Sequence, residues 1–212
     1  VVLGTSTSTL DAAGDVVGSF DMSAVTLDDA RAAVAEHLVG DIEQVPPMVS
    51  AIRVDGKRLH ELAREGIEVE RSARPVTIHR FDVVEWAAPG VLAIDVECSA
   101  GTYIRTLADD LGRLLGGGAH LRNLRRTHVG EFTLGEAAPP DECALLPVES
   151  AVRALAPVEV DDDAAALIAN GRVLAAWEGD GPWAVFDTSG RLLAVYESFR
   201  DGQAKPAVVL PV

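Results

Sequence analysis

Cys98-Ser99-Ala100-Gly101-Thr102-Tyr103-Ile104-Arg105-Thr106-Leu107-Ala108-Asp109-Asp110-Leu111-Gly112 is the stretch on which the fold turns. The apolar run from Val91 to Cys98 reads as a strand, and the small residues Ser99 to Gly101 read as a tight turn. Ile104, Leu107, Leu111, Leu114 and Leu115 then keep the spacing of one helix face, which predicts an amphipathic helix over about 102–115. A strand passing into a helix through small residues exposes the junction, and connections of this kind often carry sites. Tyr103 and Arg105 fall at that junction, where an aromatic ring could stack a base and a guanidinium could hold an anion. The same residues also suit a capped amphipathic helix whose Tyr103 and Arg105 face solvent, and the stretch alone names no reaction.

Upstream, Val1-Val2-Leu3 reads as the tail of a strand with no start signal before it, and Asp15 to Gly18 as a second short strand. Thr26 is a good N-cap with Asp28 and Asp29 in the first turn, predicting a helix from about Leu27 to Leu38 with Gly40 as its stop. Pro46-Pro47 forces extended backbone. Ser50 to Val54 reads as a strand, Asp55-Gly56 as a hairpin turn, and Lys57 to Glu65 as a short helix closed by Gly66. Pro75 to Trp86 is a strand. Downstream, Gly116-Gly117-Gly118 breaks the helix, and a further helix or turn is expected around Leu121 and Leu124. Val129 to Leu134 returns to strand, residues 139–157 read as helix and linker, and Asp161 to Ala169 as a short helix. Short strands fill the remainder. The sum is an α+β chain with mixed and antiparallel sheet. Its first domain spans 1–150, its small β-rich second domain 157–212, and the boundary lies near 147–157.

The net charge of −15 at first argues against a nucleic-acid partner, because phosphate binding wants Lys and Arg. The distribution changes that reading. Residues 1–52 carry eight acids and one base, and residues 127–212 carry fourteen acids and five bases. The middle, 53–126, carries twelve bases against eleven acids. Its cations fall in two clusters: Arg53, Lys57, Arg58, Arg64, Arg71, Arg74 and Arg80, then Arg105, Arg113, Arg122, Arg125 and Arg126. A solvated mixed-charge surface and a phosphate-tracking surface both fit such clusters. Sixteen of the 18 cations are arginine, which suits bidentate phosphate contacts, though a GC-rich genome would give the same bias.

Other chemistries find little support. The five histidines are scattered without metal-ligand spacing, so no metal site is expected. Cys98 and Cys143 make no disulfide framework. Gly116-Gly117-Gly118 lacks the Lys-Ser/Thr of a phosphate loop, and Asp161-Asp162-Asp163 suits a helix cap better than a calcium loop. No apolar run approaches the roughly 18 residues of a membrane span. With no signal peptide read at Val1, a cytoplasmic protein without membrane contact is expected.

The motifs taken together resemble the bacterial tRNA pseudouridine-55 synthase family, the TruB type. The resemblance rests on Leu3-Gly4 with Thr7-Ser8-Thr9 and Asp11; Gln44-Val45-Pro46-Pro47-Met48 with Ser50-Ala51; Gly56-Lys57-Arg58 with Glu61-Leu62-Ala63-Arg64; and Ala73-Arg74-Pro75-Val76. It continues through Cys98 to Arg105, Gly118-Ala119-His120-Leu121 and Leu124-Arg125-Arg126. Asn170-Gly171-Arg172, with Ala184 to Asp187 and Gly190, resembles that family's small PUA-type RNA-binding end domain. The resemblance implies a partial pseudouridine synthase catalytic fold that isomerises a uridine of the tRNA T-arm after flipping it from its stack, without metal or cofactor. It implies that Arg105 pairs with the nucleophilic aspartate and keeps it ionised, that Tyr103 packs on the flipped base, and that Leu124 lines the pocket floor. An insertion at about 41–80 would grip the RNA, and the RNA-binding set would be Arg53, Lys57, Arg58, His60, Arg64, Arg74, His120, Arg125 and Arg126. The resemblance further implies that the partner is tRNA, and the chain is expected to be a monomer.

The family's nucleophilic aspartate sits in a Gly-Thr-Leu-Asp-Pro motif that these 212 residues do not contain. Thr9-Leu10-Asp11 echoes it, but Ala12-Ala13-Gly14 follows, and Asp11 aligns with a later motif and is not assigned the catalytic role. Ser8 stands where Asp is frequent, and Val49 and His60 where Tyr is frequent. The expectation is an N-terminally truncated synthase, inactive alone. The alternative is a non-catalytic module that binds or chaperones tRNA.

Overall fold

The computed structural model describes residues 1–54, 56–67 and 69–211, without the side chains of Val54 and His60. Two compact units divide between Arg125 and Arg126.

The first unit is a five-stranded antiparallel sheet with two helices packed on it. In chain order the elements are β1 (Val2–Leu3), β2 (Thr5–Thr7), β3 (Val16–Ser19), α1 (Leu27–His37), β4 (Gly40–Gln44), β5 (Arg53–Val54), β6 (Lys57–Arg58), α2 (Leu59–Arg64), β7 (Arg74–Ala88), β8 (Val91–Cys98), α3 (Ile104–Leu114) and β9 (Ala119–His120). The main sheet has the order β4-β7-β8-β1-β9, while β2–β3 and β5–β6 are separate hairpins. Val2 lies between Val91 of β8 and His120 of β9, so the first residues sit inside the sheet.

The long strand β7 shows how sequence and sheet are reconciled. Val76 and Ile78 are buried, and so are Phe81 and Val83, a pattern that breaks strict alternation between 78 and 81. The ladder with β8 shifts register between Ile78 and Arg80, and that irregularity returns both pairs to the same face. There they meet Ala30, Val34 and Leu38 from the α1 segment and Leu107, Ala108 and Leu111 of α3 in one apolar core. α1 starts where its cap predicts: the Thr26 hydroxyl accepts from the Asp29 N–H, and the Asp29 carboxylate accepts from the Thr26 N–H.

The second unit comprises the hairpin β10 (His128–Val129) and β11 (Phe132–Thr133), then β12 (Ala156–Val160), α4 (Asp162–Ala169), β13 (Leu174–Ala175), β14 (Trp183–Asp187), β15 (Leu192–Ser198) and β16 (Gln203–Val209). Its sheet is mixed, in the order β12-β14-β15-β16-β13, with β12 and β14 parallel. Trp177 meets Trp183 and Tyr196 edge-on at 5.8 and 5.4 Å between centroids. The polar tips are satisfied: Trp183 Nε1 donates to the Glu178 carbonyl and Tyr196 Oη to that of Arg172.

Three expectations differ from what is observed. Residues 126–155 cluster with the second unit, whereas the sequence predicts a boundary near 147–157. Arg153 explains this: its guanidinium holds Glu136 and the Glu131 carbonyl and lies 3.8 Å over the Phe132 ring, fastening the linker to the β10–β11 hairpin. No helix holds Leu121 and Leu124; Ala119 and His120 form β9, and Leu124 lies in no regular element. Of 139–157, only Val148–Val152 is helical, as a short 3₁₀ turn. Among the described residues no helix is long and apolar enough to cross a membrane.

Candidate functional site

The β8–α3 junction does carry a constellation of polar groups, and Arg105 is its centre. Arg105 Nη1 donates to Asp11 Oδ2 at 2.9 Å and to the Thr9 carbonyl at 3.1 Å, and Nη2 donates to the Val49 carbonyl at 2.8 Å. Residues from two distant parts of the chain, the Thr9–Asp11 turn and Val49, therefore converge on one guanidinium. A guanidinium has five N–H donors. Three are bound to protein, and among the described residues the Nε–H and the second Nη2–H of Arg105 have no acceptor.

Asp11 is presented by a strained turn. Leu10 has φ of 62°, a left-handed conformation uncommon for a leucine. The turn is held by the Thr7 hydroxyl donating to the Asp11 carbonyl and by the backbone bonds of Leu10 and Ala12 with Leu121. Burial alone would push the Asp11 carboxyl up, but the Thr9 hydroxyl, the Ala13 N–H and the Arg105 guanidinium together hold it below the ordinary carboxylate range. The Arg105 and Asp11 side chains are 22% and 28% exposed, so the ion pair remains reachable from solvent.

Tyr103 is the N-cap of α3 and is half-buried. Its backbone is held by Gln44, the last residue of β4: the Tyr103 N–H donates to Gln44 Oε1 at 2.7 Å, and Gln44 Nε2 donates to the Tyr103 carbonyl at 3.1 Å. Sequence reading placed Gln44 and Asp11 within motifs but gave neither a part in the site. The Thr9-Leu10-Asp11 echo of the aspartate motif was the only local signal for the second, and none pointed to the first.

The remaining predicted residues fall into separate groups. Arg53 and Arg58 are exposed cross-strand partners on the β5–β6 hairpin, with Lys57 beside them. Like charges directly opposite each other repel unless an anion lies between or beside them. Lys57 is 4.0 Å from Glu65, and Arg64 and Arg74 are exposed. The His60 side chain lies outside the described residues. His120 has its Nδ1 2.8 Å from the Thr5 carbonyl, tying β9 to β2. Arg125 and Arg126 are exposed, and Leu124 is 60% exposed. Arg80 is committed to Asp82, Asp95 and Glu97 on the β7–β8 surface. Since β4 and the start of β7 belong to the main sheet, only residues 45–73 of the expected 41–80 insertion stand outside it.

A solvent-reachable arginine–aspartate pair thus lies at the start of α3, whose N-cap is Tyr103. Comparison with known proteins identifies the family. Residues 1–104 match the TruB family pseudouridylate synthase N-terminal domain, residues 105–142 the tRNA pseudouridylate synthase B C-terminal domain, and residues 155–211 the C-terminal domain of tRNA pseudouridine synthase II. The tRNA pseudouridine synthase B of Aromatoleum aromaticum is 47% identical over 216 residues, covering 97% of this chain and 69% of the relative. That of Arthrobacter sp. (strain FB24) is 47% identical over 226 residues, covering 98% and 73%. Among solved structures, the crystal structure of a Cbf5-Nop10-Gar1 complex gives a TM-score of 0.62 at 24% identity, covering 89% of this chain and 62% of that one, a likeness of fold. The chain belongs to the TruB family of tRNA pseudouridine synthases.

Proposed function

We propose that these residues form the base-handling and RNA-gripping part of an enzyme that converts uridine 55 in the tRNA T-arm to pseudouridine. The reaction breaks the C1′–N1 glycosidic bond, turns the base and joins C5 to C1′, with C5 losing a proton and N1 gaining one, all on a nucleotide drawn out of its stack. In this reading Tyr103 packs on the extruded base. Arg105 offers its two unused N–H groups to the attacking carboxylate and keeps it ionised, which electrostatic pairing favours. The observation that carries the reading is that Arg105 is fixed by three protein acceptors while two donors stay open.

Asp11 suits the role of Arg105's orienting partner rather than the nucleophile, because both its oxygens are already engaged by Thr9, Ala13 and Arg105. The Gly-Thr-Leu-Asp-Pro motif is absent from these 212 residues, so no turnover is expected from them alone. The β5–β6 hairpin with Arg53, Lys57 and Arg58, together with Arg64, Arg74, Arg125 and Arg126, would contact phosphates, and the second unit would add a PUA-type RNA surface. Leu124, exposed in the free chain, would meet the flipped base, and a monomer would suffice.

The test measures pseudouridine in a T-arm stem-loop with two proteins. One is the 212-residue chain. The other is the same chain joined to those residues of the Arthrobacter relative that lie outside the match. Formation by the chimaera and none by the chain alone is the expected result. A chimaera that binds the stem-loop without converting it would favour a non-catalytic tRNA-binding module.

A further inference from the structure

Gln44 is the most deeply buried polar side chain near the site, at 2% exposure, and the proposed function gives it no task. Both ends of its carboxamide are used on one residue. The Tyr103 N–H can only donate and its carbonyl can only accept, so the two bonds fix which end of the amide faces which group. The Tyr103 carbonyl also receives the Thr106 and Leu107 N–H groups that begin α3. Gln44 therefore clamps the first turn of the helix that bears Tyr103 and Arg105.

The chain leaving Gln44 is the excursion 45–73 that bears the basic hairpin; one further bond closes it on itself and another ties it to the site. Arg71 Nη1 donates to the Pro46 carbonyl, and Arg105 Nη2 to that of Val49. Pro46 and Pro47 stiffen the span between these anchors. The root of the excursion is thus bonded to Tyr103 through Gln44 and to Arg105 through Val49, as well as to β7 through the β4 ladder.

We propose that Gln44 is a positioning residue: its carboxamide sets the backbone of Tyr103 and couples the RNA-gripping excursion to the groups that handle the base. The coupling rests on the function proposed above; the clamp itself does not. Two substitutions separate the effects. Gln44→Met keeps the length of the side chain but makes neither hydrogen bond. Gln44→Glu keeps the shape, but its ionised form presents an acceptor to the Tyr103 carbonyl, and only its protonated form restores the donor. Burial raises the carboxyl's pKa, so restoration comes within an accessible acid range.

Amide hydrogen exchange on the 212-residue chain reads the clamp without any activity. In Gln44→Met, exchange at Tyr103 and the first turn of α3 should rise about tenfold or more while β7 and β8 keep their protection. Unchanged exchange at Tyr103 overturns the clamp. Single-turnover rates of the chimaera read the coupling. Gln44→Met should lose about tenfold or more in rate with tRNA affinity changed less than about threefold. Gln44→Glu, taken as a ratio to the unsubstituted protein, should recover as pH falls. An unchanged rate, or equal losses of rate and affinity with a pH-independent ratio, overturns the coupling. Should Gln44→Met fail to fold, exchange in Gln44→Glu at low and high pH decides the clamp by the same sign. A chimaera without activity defeats the proposed function and leaves exchange to decide the clamp.

Discussion

Arg105 is held on three sides, by the Asp11 carboxylate and by the carbonyls of Thr9 and Val49. Such fixation gives a guanidinium its value, because donors already aimed need no reorganisation during reaction. Arg105→Ala in the chimaera is expected to lower the rate by about 10³-fold or more, with modest loss of tRNA affinity, as for a group whose bonds strengthen in the transition state. Lysine cannot reproduce the fork, so Arg105→Lys should rescue little. Asp11→Ala should cost less than Arg105→Ala, since the two carbonyls still hold the guanidinium; single-turnover rates of the three variants check that order. Tyr103 and Arg105 were legible in the sequence because they lie on one short strand–helix junction. The Arg105–Asp11 pair spans 94 residues and the Gln44–Tyr103 bonds span 59, so neither leaves a local pattern.

At the scale of elements, periodicity carried most of the reading. The α1 cap, the α3 face and the β8 strand all fall within two residues of expectation because each repeats a signal over several positions. The stretch around Leu124 failed because its leucines mimic a helix face, while the chain is drawn out to pair Ala119 with Leu3 and Leu121 with Asp11. α3 itself carries a test. Glycine inside a helix is normally worth replacing by alanine, but a Cβ at Gly112 would lie 2.6 Å from the Gly118 carbonyl carbon. Gly112→Ala should therefore destabilise the first unit by about 1–3 kcal/mol, read by denaturant unfolding.

A second test belongs to the elements of the C-terminal unit. The Arg153 guanidinium and the Thr133 N–H hold the Glu136 carboxyl down at about 2. The Ser189 hydroxyl and the Arg191 N–H hold Asp187 down at about 2 as well. Depressed carboxyls contribute stability that is complete above their unfolded values, near 4, and is lost as pH falls toward 2. Thermal melts of this unit should fall across that window, and the double substitution Glu136→Gln with Asp187→Asn should flatten the fall. An unaltered slope would remove both groups as the source of the acid sensitivity.

For the whole molecule, the charge of −15 averages two acidic flanks and a balanced, arginine-rich centre. The structure refines this further, since Arg80, Arg105 and Arg153 are bound internally to carboxylates while Arg53 and Arg58 face each other across the β5–β6 hairpin. Binding to tRNA is thus expected to depend on a few cations. Lys57→Ala with Arg58→Ala should weaken binding and reduce the magnitude of the salt slope by about two, one for each cation withdrawn from a phosphate. A slope unchanged by the pair of substitutions would move the RNA grip elsewhere.

The central claim is that Arg105, fixed by Asp11, Thr9 and Val49, serves the isomerisation of a tRNA uridine. Its most direct test is single-turnover pseudouridine formation in a T-arm stem-loop by the chimaera and by its Arg105→Ala variant. Conversion by the first and a loss of about 10³-fold in the second, at near-equal affinity, is the predicted result. Equal rates in the two proteins would contradict it.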